Sequence, residues 1–202
     1  MLSSGKGCSK LAAMESPPNA GAIHDLDPRV RRSRQMLRDA LAKLLKEKDF
    51  EEISVGDIAQ QSTLNRATFY DHYPGKRALL ECLVGSQFQD LLAKRNIRFD
   101  GCHGALKKIA MGVCYYLAET AKPGASSAAE TAIVAVVRRT LLEGFAQHPP
   151  RTDIPVEMLA STLAWAIYGA AQEWAQARKR VPVAKIGGTI EKLVTPILTA
   201  GR

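Results

Sequence analysis

The stretch SVGDIAQQSTLNRATFYDHYPGKRALL, residues 54–80, contains the start signals of two short helices. Ser54 and Asp57 have the spacing of a capping box. In that motif the hydroxyl accepts from the backbone N–H three residues on, and the carboxylate accepts from the N–H of the cap residue. This pattern predicts a first helix over about 55–61.

The second helix of this stretch begins after only a few connecting residues. Asn65 is a favourable N-cap, because its side-chain oxygen can accept from the first free N–H groups. Pro74-Gly75 ends the helix near 72. At both helix starts, an apolar residue before the cap is matched by one at the fourth helical position, the pattern of a hydrophobic staple. These pairs are Ile53 with Ile58, and Leu64 with Phe69.

Helical signals also flank the stretch on both sides. Asp27 and Pro28 suit an N-cap and a first helical position, and leucines at helical spacing follow, which predicts a helix over 28–48. Further helices are expected near 76–95, 102–120, 127–147, 155–178 and 184–199. No segment alternates with period two, so the predicted fold class is all-α: a three-helix N-terminal unit, then a C-terminal helical domain.

Composition excludes several other classes of protein. The 202 residues include 28 Lys+Arg and 20 Asp+Glu, a net charge of +8, and 46% are hydrophobic. No apolar run reaches 18 residues, so no membrane-spanning helix is predicted. The four cysteines are widely spaced without a C-x-x-C pair, which argues against a zinc site and disulfides and fits a cytoplasmic protein. They are Cys8, Cys82, Cys102 and Cys114.

Three segments follow from these patterns. Residues 1–26 are rich in Ser, Gly, Pro and Ala without apolar periodicity, which is typical of a disordered tail. Residues 27–95 hold the three-helix unit and the fourth helix, and 96–202 the remaining helices. Within 29–48 there are eight basic and two acidic residues. This charge fits either a solvated helix face or a helix end that faces phosphates.

Two short helices joined by a tight turn, after a longer helix with a basic start, match a three-helix DNA-binding unit. A helix fits the major groove, and its N-terminal residues meet the base edges. Its N-terminus, with free N–H groups and a positive dipole end, is favourable near phosphates.

The sequence resembles TetR/AcrR-type transcriptional regulators over about residues 31–91. The resemblance rests on Ile58-Ala59, the run from Asn65 to Leu80 with its Thr-Phe-Tyr core, and the helix from Arg34 to Leu45 followed by Phe50 and Ile53-Ser54-Val55. It implies a helix-turn-helix motif at about 54–73 and double-stranded DNA as a partner.

The resemblance and the residue chemistry together give an expected set of DNA contacts. Arg66 could form a bidentate pair with guanine or touch phosphate, and Ala67 could meet a thymine methyl. Lys76 looks like the family's backbone clamp, and Tyr73 could equally pack or touch phosphate. The full set is Arg34, Ser54, Asn65, Arg66, Ala67, Thr68, Tyr70, His72, Tyr73 and Lys76. Asp71 is expected to pair with an arginine of the same chain.

Two positions depart from the family pattern. Thr63 stands where glycine usually precedes the recognition helix, and a branched residue at positive φ is costly, so we expect a different turn geometry. Asp49 replaces a glycine at the end of the first helix. Asp tolerates the left-handed conformation better than most residues do.

For the C-terminal region the resemblance implies a pocket for an unidentified small-molecule effector and a homodimer interface. Candidate pocket residues are Met111, Cys114, Tyr115, Phe145, Trp165 and Tyr168, with ordinary core packing as the alternative for each; Cys114 could also be a redox sensor. The last two helices suit a four-helix contact between subunits or an ordinary intrachain pair. Their candidate contact residues are Leu159, Leu163, Ile167, Gly169, Ala170, Ala171 and Trp174, then Ile186, Ile190, Leu193, Val194 and Ile197. Pro196 is expected to bend or end the last helix.

No catalytic or metal-binding spacing is present, so we expect neither enzymatic activity nor a cofactor. The sequence therefore predicts a ligand-responsive repressor that binds a palindromic operator as a homodimer. The alternatives are a protein-interaction or ligand-binding module with a non-functional DNA unit, and a helical enzyme for an acidic substrate.

Overall fold

The computed structural model describes residues 27–97, 104–120 and 127–199, and all regular structure in them is helical. The prediction of an all-α fold is confirmed, whereas the predicted tail at 1–26 lies outside the described residues. A single 3-10 turn, Phe50–Glu52, follows the first helix. The helices are α1 Pro28–Glu47, α2 Val55–Ser62, α3 Arg66–His72, α4 Lys76–Lys94, α5 Ala105–Thr120, α6 Ser127–Gln147, α7 Val156–Gln176 and α8 Val183–Thr199.

Helix α1 begins as its sequence predicts. Asp27 accepts from the backbone N–H of Arg29 at 2.8 Å, and Pro28 is at the first helical position. The buried stripe of α1 follows helical spacing and consists of Leu37, Ala40, Leu41 and Leu44. At the C-terminus, Lys48 and Asp49 are both extended, with φ of −150° and −68°. The expectation that Asp49 takes over a left-handed glycine position is therefore wrong.

Helices α2 and α3 form the predicted pair with its caps. The capping box is complete: the N–H of Asp57 donates to Ser54 Oγ at 3.1 Å, and the N–H of Ser54 donates to Asp57 Oδ2 at 2.8 Å. Asn65 Oδ1 accepts from the N–H of Ala67 at 3.0 Å. The staple residues within the two helices, Ile58 and Phe69, are fully buried. Full burial of such side chains stabilises by about 1.5–3 kcal/mol each, which fixes both helices on α1.

The turn between α2 and α3 does not have the different geometry that Thr63 predicts. Thr63 adopts the left-handed conformation, with φ 57° and ψ 26°. Its N–H donates to the carbonyl of Gln60, and the N–H of Leu64 donates to that of Ala59 at 3.0 Å. These bonds satisfy the last carbonyls of α2, so the turn keeps the geometry of a glycine-containing helix end despite the branched residue.

Helix α4 joins the N-terminal helices to the rest of the chain. It packs on α1 and also on α5 and α6, while α7 packs on α5, α6 and α8. The buried apolar residues form one cluster that runs from Leu37 to Val194. At Gly112 a β-carbon would lie 2.8 Å from Leu92 Cδ2, so α4 and α5 approach closely there. Helix α8 continues through Pro196 to Thr199, so this proline does not end it.

The described residues contain no helix that is both long and apolar enough to cross a membrane.

Candidate nucleic-acid interface

Helix α3 has one buried side and one exposed side. Phe69 is fully buried and anchors the helix, whereas Arg66, Ala67, Tyr70 and Asp71 are exposed. Seven residues span about 10 Å, a length suited to one passage through the major groove. The helix therefore presents a short surface on a rigid base.

Arg66 and Tyr70 are four residues apart and lie on the same side of α3. The phenol of Tyr70 is 53% exposed, and its ring stands edge-on against Phe69 with 5.4 Å between the ring centroids. Thr68 is half-buried beside them. This side of the helix thus offers a guanidinium and a phenolic hydroxyl that can donate to base edges or phosphate oxygens.

Tyr73 lies on the inner side of the same unit. It is only 7% exposed, and its hydroxyl donates to Cys82 Sγ at 3.5 Å. Burial, reinforced by this hydrogen bond, raises the pKa of Tyr73 above its ordinary value. Arg38 Nη1 donates to the same sulfur at 3.8 Å. Of the two roles expected for Tyr73, the structure therefore shows packing and not an exposed phosphate contact.

Arg34 and His72 form the edge between α1 and α3. The guanidinium carbon of Arg34 is 6.0 Å from the centroid of the Tyr73 ring, and Arg34 Nε is buried without a hydrogen-bond partner among the described residues. Burial, and then the charge of Arg34, lowers the pKa of His72. The lowered pKa favours the neutral imidazole, in which one ring N–H can still donate. Asp71 makes no ion pair within the described ranges, contrary to expectation.

Ser54 and Asn65 are two other expected DNA contacts. Their side chains already make hydrogen bonds within the chain. Ser54 is exposed, but its hydroxyl accepts from the N–H of Asp57 and donates to Asp57 Oδ2 at 2.9 Å. Asn65 caps α3 through Oδ1, which leaves its side-chain NH₂ available as a donor. Hydrogen bonds from Ser54 and the charge of Lys48 lower the pKa of Asp57 to about 2.

The ammonium of Lys76 lies against backbone carbonyls of its own chain. Its Nζ donates to the backbone carbonyls of Phe50 at 3.0 Å, Glu51 at 3.1 Å and Ile53 at 2.9 Å. An ammonium has three N–H donors, and all three are directed to these acceptors. In the structure the Lys76 ammonium is thus bonded to its own chain, and its phosphate contact stays a prediction.

The basic start of α1 forms an open groove. Its lining is Pro28, Arg31, Arg32, Arg34, Gln35 and Arg38. Arg38 also donates to Gln35, so part of its guanidinium is held within the groove. The remaining arginines supply positive charge beside α3, a favourable setting for the phosphates that flank a groove-bound helix.

The six candidate pocket residues lie on α5, α6 and α7. Trp165 is 50% exposed on α7, with its ring edge-on to that of buried Tyr168. Tyr115 lies under the Arg95 guanidinium at 4.2 Å, and Met111 packs against Gly187 of α8. Cys114 is fully buried, which raises its pKa to about 12 and makes it an unreactive thiol. Phe145 is half-buried on α6.

The apolar residues of α7 and α8 divide between the two expected roles. Leu159, Leu163 and Ile167 are buried within their own chain, so they form an intrachain contact. The exposed large apolar residues of these helices include Met158, Trp165 and Leu193. Met158 and Trp165 are seven residues apart, a spacing that places them on one stripe of a helix. This spacing is visible in the sequence and could have indicated the exposed stripe.

A comparison of the chain with known families identifies its N-terminal part. The sequence model described as bacterial regulatory proteins, tetR family, matches residues 37–83, from the core of α1 into α4. This domain belongs to the TetR family. The matched residues include all of α2 and α3, so the exposed surface of α3 is part of the TetR-family helix-turn-helix domain.

The chain is also similar to individual proteins and solved structures. The chain is 43% identical over 60 residues to the uncharacterized HTH-type transcriptional regulator YxbF of Bacillus subtilis (strain 168); the match covers 29% of this chain and 16% of that relative. The structure of Lin0861 from Listeria innocua has a TM-score of 0.64 at 19% identity, and covers 86% of this chain and 94% of that one. A TetR transcriptional regulator from Streptococcus agalactiae 2603V, 20% identical, has a TM-score of 0.47 and covers 82% and 95%.

Proposed function

We propose that this protein is a transcriptional repressor that binds a palindromic operator as a homodimer. The observation that carries the proposal is the exposed side of α3, where Arg66 and Tyr70 project from a helix anchored by the fully buried Phe69. A rigid base matters because a base contact requires the donor atoms to be held in a narrow range of positions. The TetR-family assignment of this domain supports the same function.

The proposed contacts divide into two groups. Arg66, Ala67, Thr68 and Tyr70 on α3 meet base edges and the nearest phosphates. The second group flanks α3 and meets phosphates only; it consists of Arg34, the Ser54 hydroxyl, the Asn65 amide and His72.

The apolar residues left exposed on the last two helices support the proposed homodimer. Met158 on α7 is 61% exposed, Trp165 is 50% exposed and Leu193 on α8 is 64% exposed. A second copy of the chain would remove them from water in a two-fold contact. The two α3 helices would then have to lie about 34–36 Å apart to enter successive major grooves on one face of B-DNA.

An effector would act through α4, which packs on α1 at one end and on α5 and α6 beyond it. We propose that a small molecule bound among the C-terminal helices stabilises a different position of α4. Such a ligand shifts the population only by the difference between its affinities for the two states.

The test is selection of bound duplexes from a random pool with the purified chain. Recovery of one palindrome would establish both the operator and the two-fold symmetry. If no duplex sequence is enriched, the chain does not bind DNA sequence-specifically. That result would favour the alternative of a helical interaction module. Each preparation must be folded, with Phe69 buried, for the result to be interpreted. Thermal unfolding of the same preparation is the control for folding.

A further inference from the structure

Asp71 places a negative charge on the side of α3 that faces DNA in the proposed function. Its side chain is exposed, and it forms no ion pair within the part of the chain that the structure describes. A carboxylate close to phosphates is repelled by them unless a hydrogen-bond donor of the partner meets it. The helix caps and the buried core do not use this carboxylate, so it is available to accept a hydrogen bond from a partner.

The position of Asp71 around α3 shows which way it points relative to the buried Phe69. Successive residues of an α-helix are rotated by about 100°. Asp71 and Ala67 are each two residues from Phe69, so both lie about 160° around the helix from it and next to each other. Arg66 and Tyr70 lie closer to the buried side, at about 60° and about 100° from Phe69. Ala67 and Asp71 thus form the outermost face of α3.

The outermost face of a helix in the major groove meets the base edges, and each base offers a carboxylate a different partner. Cytosine presents the N4 amino donor, whereas guanine presents two acceptors, and thymine presents a carbonyl acceptor and a methyl group. Adenine presents its N6 amino donor beside the N7 acceptor, which repels a second carboxylate oxygen. A side chain that can only accept therefore favours cytosine and disfavours the other three bases.

We propose that Asp71 determines base specificity in this protein: its carboxylate accepts a hydrogen bond from the N4 amino group of a cytosine in each half of the operator. The inference rests on the proposed function of α3 in binding DNA. Ala67 supports it, because a small side chain beside Asp71 lets the helix approach the bases closely enough for a short carboxylate to reach them. At a site without a donor in this position the carboxylate is left unpaired among phosphates, so Asp71 also rejects other sequences.

Replacement of the carboxylate by an amide should change the base that is selected. Asp71→Asn is nearly isosteric, and asparagine forms a bidentate pair with N6 and N7 of adenine. Selection from a random pool should recover cytosine at one position of each half-site with the unaltered chain, and adenine at the same position with Asp71→Asn. Asp71→Ala should show no preference there, while the other positions stay the same. Recovery of the unaltered operator, with its cytosine, by both variants would overturn the proposal.

A matched control separates a base contact from a change of charge. Asp90 is an exposed residue of α4, about 21 Å along that helix from its first residue. Asp90→Asn removes the same negative charge and should recover the operator of the unaltered chain. The three variants should melt within about 2 °C of the unaltered chain, because each replaces an exposed side chain. A shift to adenine in Asp90→Asn as well would show an effect of charge alone and would overturn the base contact.

A modified duplex tests the contact from the DNA side. In the recovered duplex, 2-pyrimidinone in place of the selected cytosine removes the amino group. The affinity of the unaltered chain should fall about tenfold, whereas that of Asp71→Ala should fall less than about twofold, because this variant has no acceptor. An equal loss in both chains would overturn the proposal, because it describes an altered duplex and not a lost hydrogen bond.

The same selection distinguishes failure of this inference from failure of the proposed function. If the unaltered chain recovers no duplex, the proposed function is wrong, and the role of Asp71 falls with it. If the unaltered chain recovers a palindrome whose half-site has no fixed cytosine, the function stands and only the role of Asp71 is overturned.

Discussion

Replacement of Thr63 by glycine changes a single strained residue at the turn between α2 and α3. Thr63 has φ 57° and ψ 26°, a conformation in which the β-carbon crowds the following carbonyl oxygen. For residues other than glycine this conformation costs about 1–3 kcal/mol. Glycine removes that cost, but it increases the entropy of the unfolded chain by an equivalent of about 0.4–1 kcal/mol.

One hydrogen bond is lost in the same substitution. Thr63 Oγ1 donates to the Ser62 carbonyl at 2.7 Å, and a partly buried bond of this kind contributes about 0.5 kcal/mol. The balance predicts that Thr63→Gly raises the free energy of unfolding by about 0.5–1 kcal/mol. For a chain of this length the melting temperature should rise by about 1–4 °C.

Urea unfolding followed by circular dichroism measures this change. The midpoint should rise while the slope with denaturant stays the same, because the surface exposed on unfolding is unaltered. Thr63→Ala is the control: it keeps a β-carbon, and with it the conformational cost, so no gain is expected. A loss of stability in Thr63→Gly, or an equal gain in Thr63→Ala, would refute the assignment of strain to this residue.

Three further changes test other parts of the molecule. Arg66→Ala should relax the preference at one base pair by about 1–3 kcal/mol in competition binding; an unaltered preference would reduce Arg66 to a phosphate contact. Trp165→Glu should convert a dimer of 22.0 kDa chains to monomers in light scattering, whereas Gln147→Glu on α6 should not; dimers in both would place the interface elsewhere. The lowered pKa of Asp57 stabilises the fold above pH 4, and this contribution is lost as the pH falls from about 4 to about 2. Asp57→Asn should therefore lose less stability over that interval, and parallel curves for the two chains would contradict the capping role.

The sequence was sufficient to predict the helix starts, because caps and staples are interactions within a few residues. Asp27, Ser54 and Asn65 all cap as predicted. The contacts of Lys76 and Tyr73 could not be predicted in the same way. Their partners are 23–26 residues and nine residues away in sequence, and only the packing of α4 against α1 brings them together.

The turn at Thr63 shows how tertiary structure overrides a local preference. A branched residue disfavours positive φ, but the buried Ile58 and Phe69 on either side fix the directions in which the chain enters and leaves the turn. The stability gained by burying these two side chains exceeds the local strain. The residue type at position 63, taken alone, predicts a different geometry.

The helix-breaking residues of the sequence predict where the C-terminal helices lie. They do not predict which face of each helix packs within the chain and which remains exposed. Periodicity marks an apolar stripe without saying whether it faces the same chain or another. On α7 the stripe of Leu159 and Leu163 faces inward, and the exposed residues are the neighbouring Met158 and Trp165. Only the packing of α5, α6 and α8 around α7 decides between these two faces.

The central claim is that the exposed side of α3 distinguishes one DNA sequence from others. The most direct measurement is the affinity of the purified chain for the duplex recovered from the random pool, relative to a duplex of the same composition in shuffled order, at physiological salt. The account predicts a ratio of about 10³ or more, with two chains bound to each recovered duplex. Equal affinities for the two duplexes would contradict it.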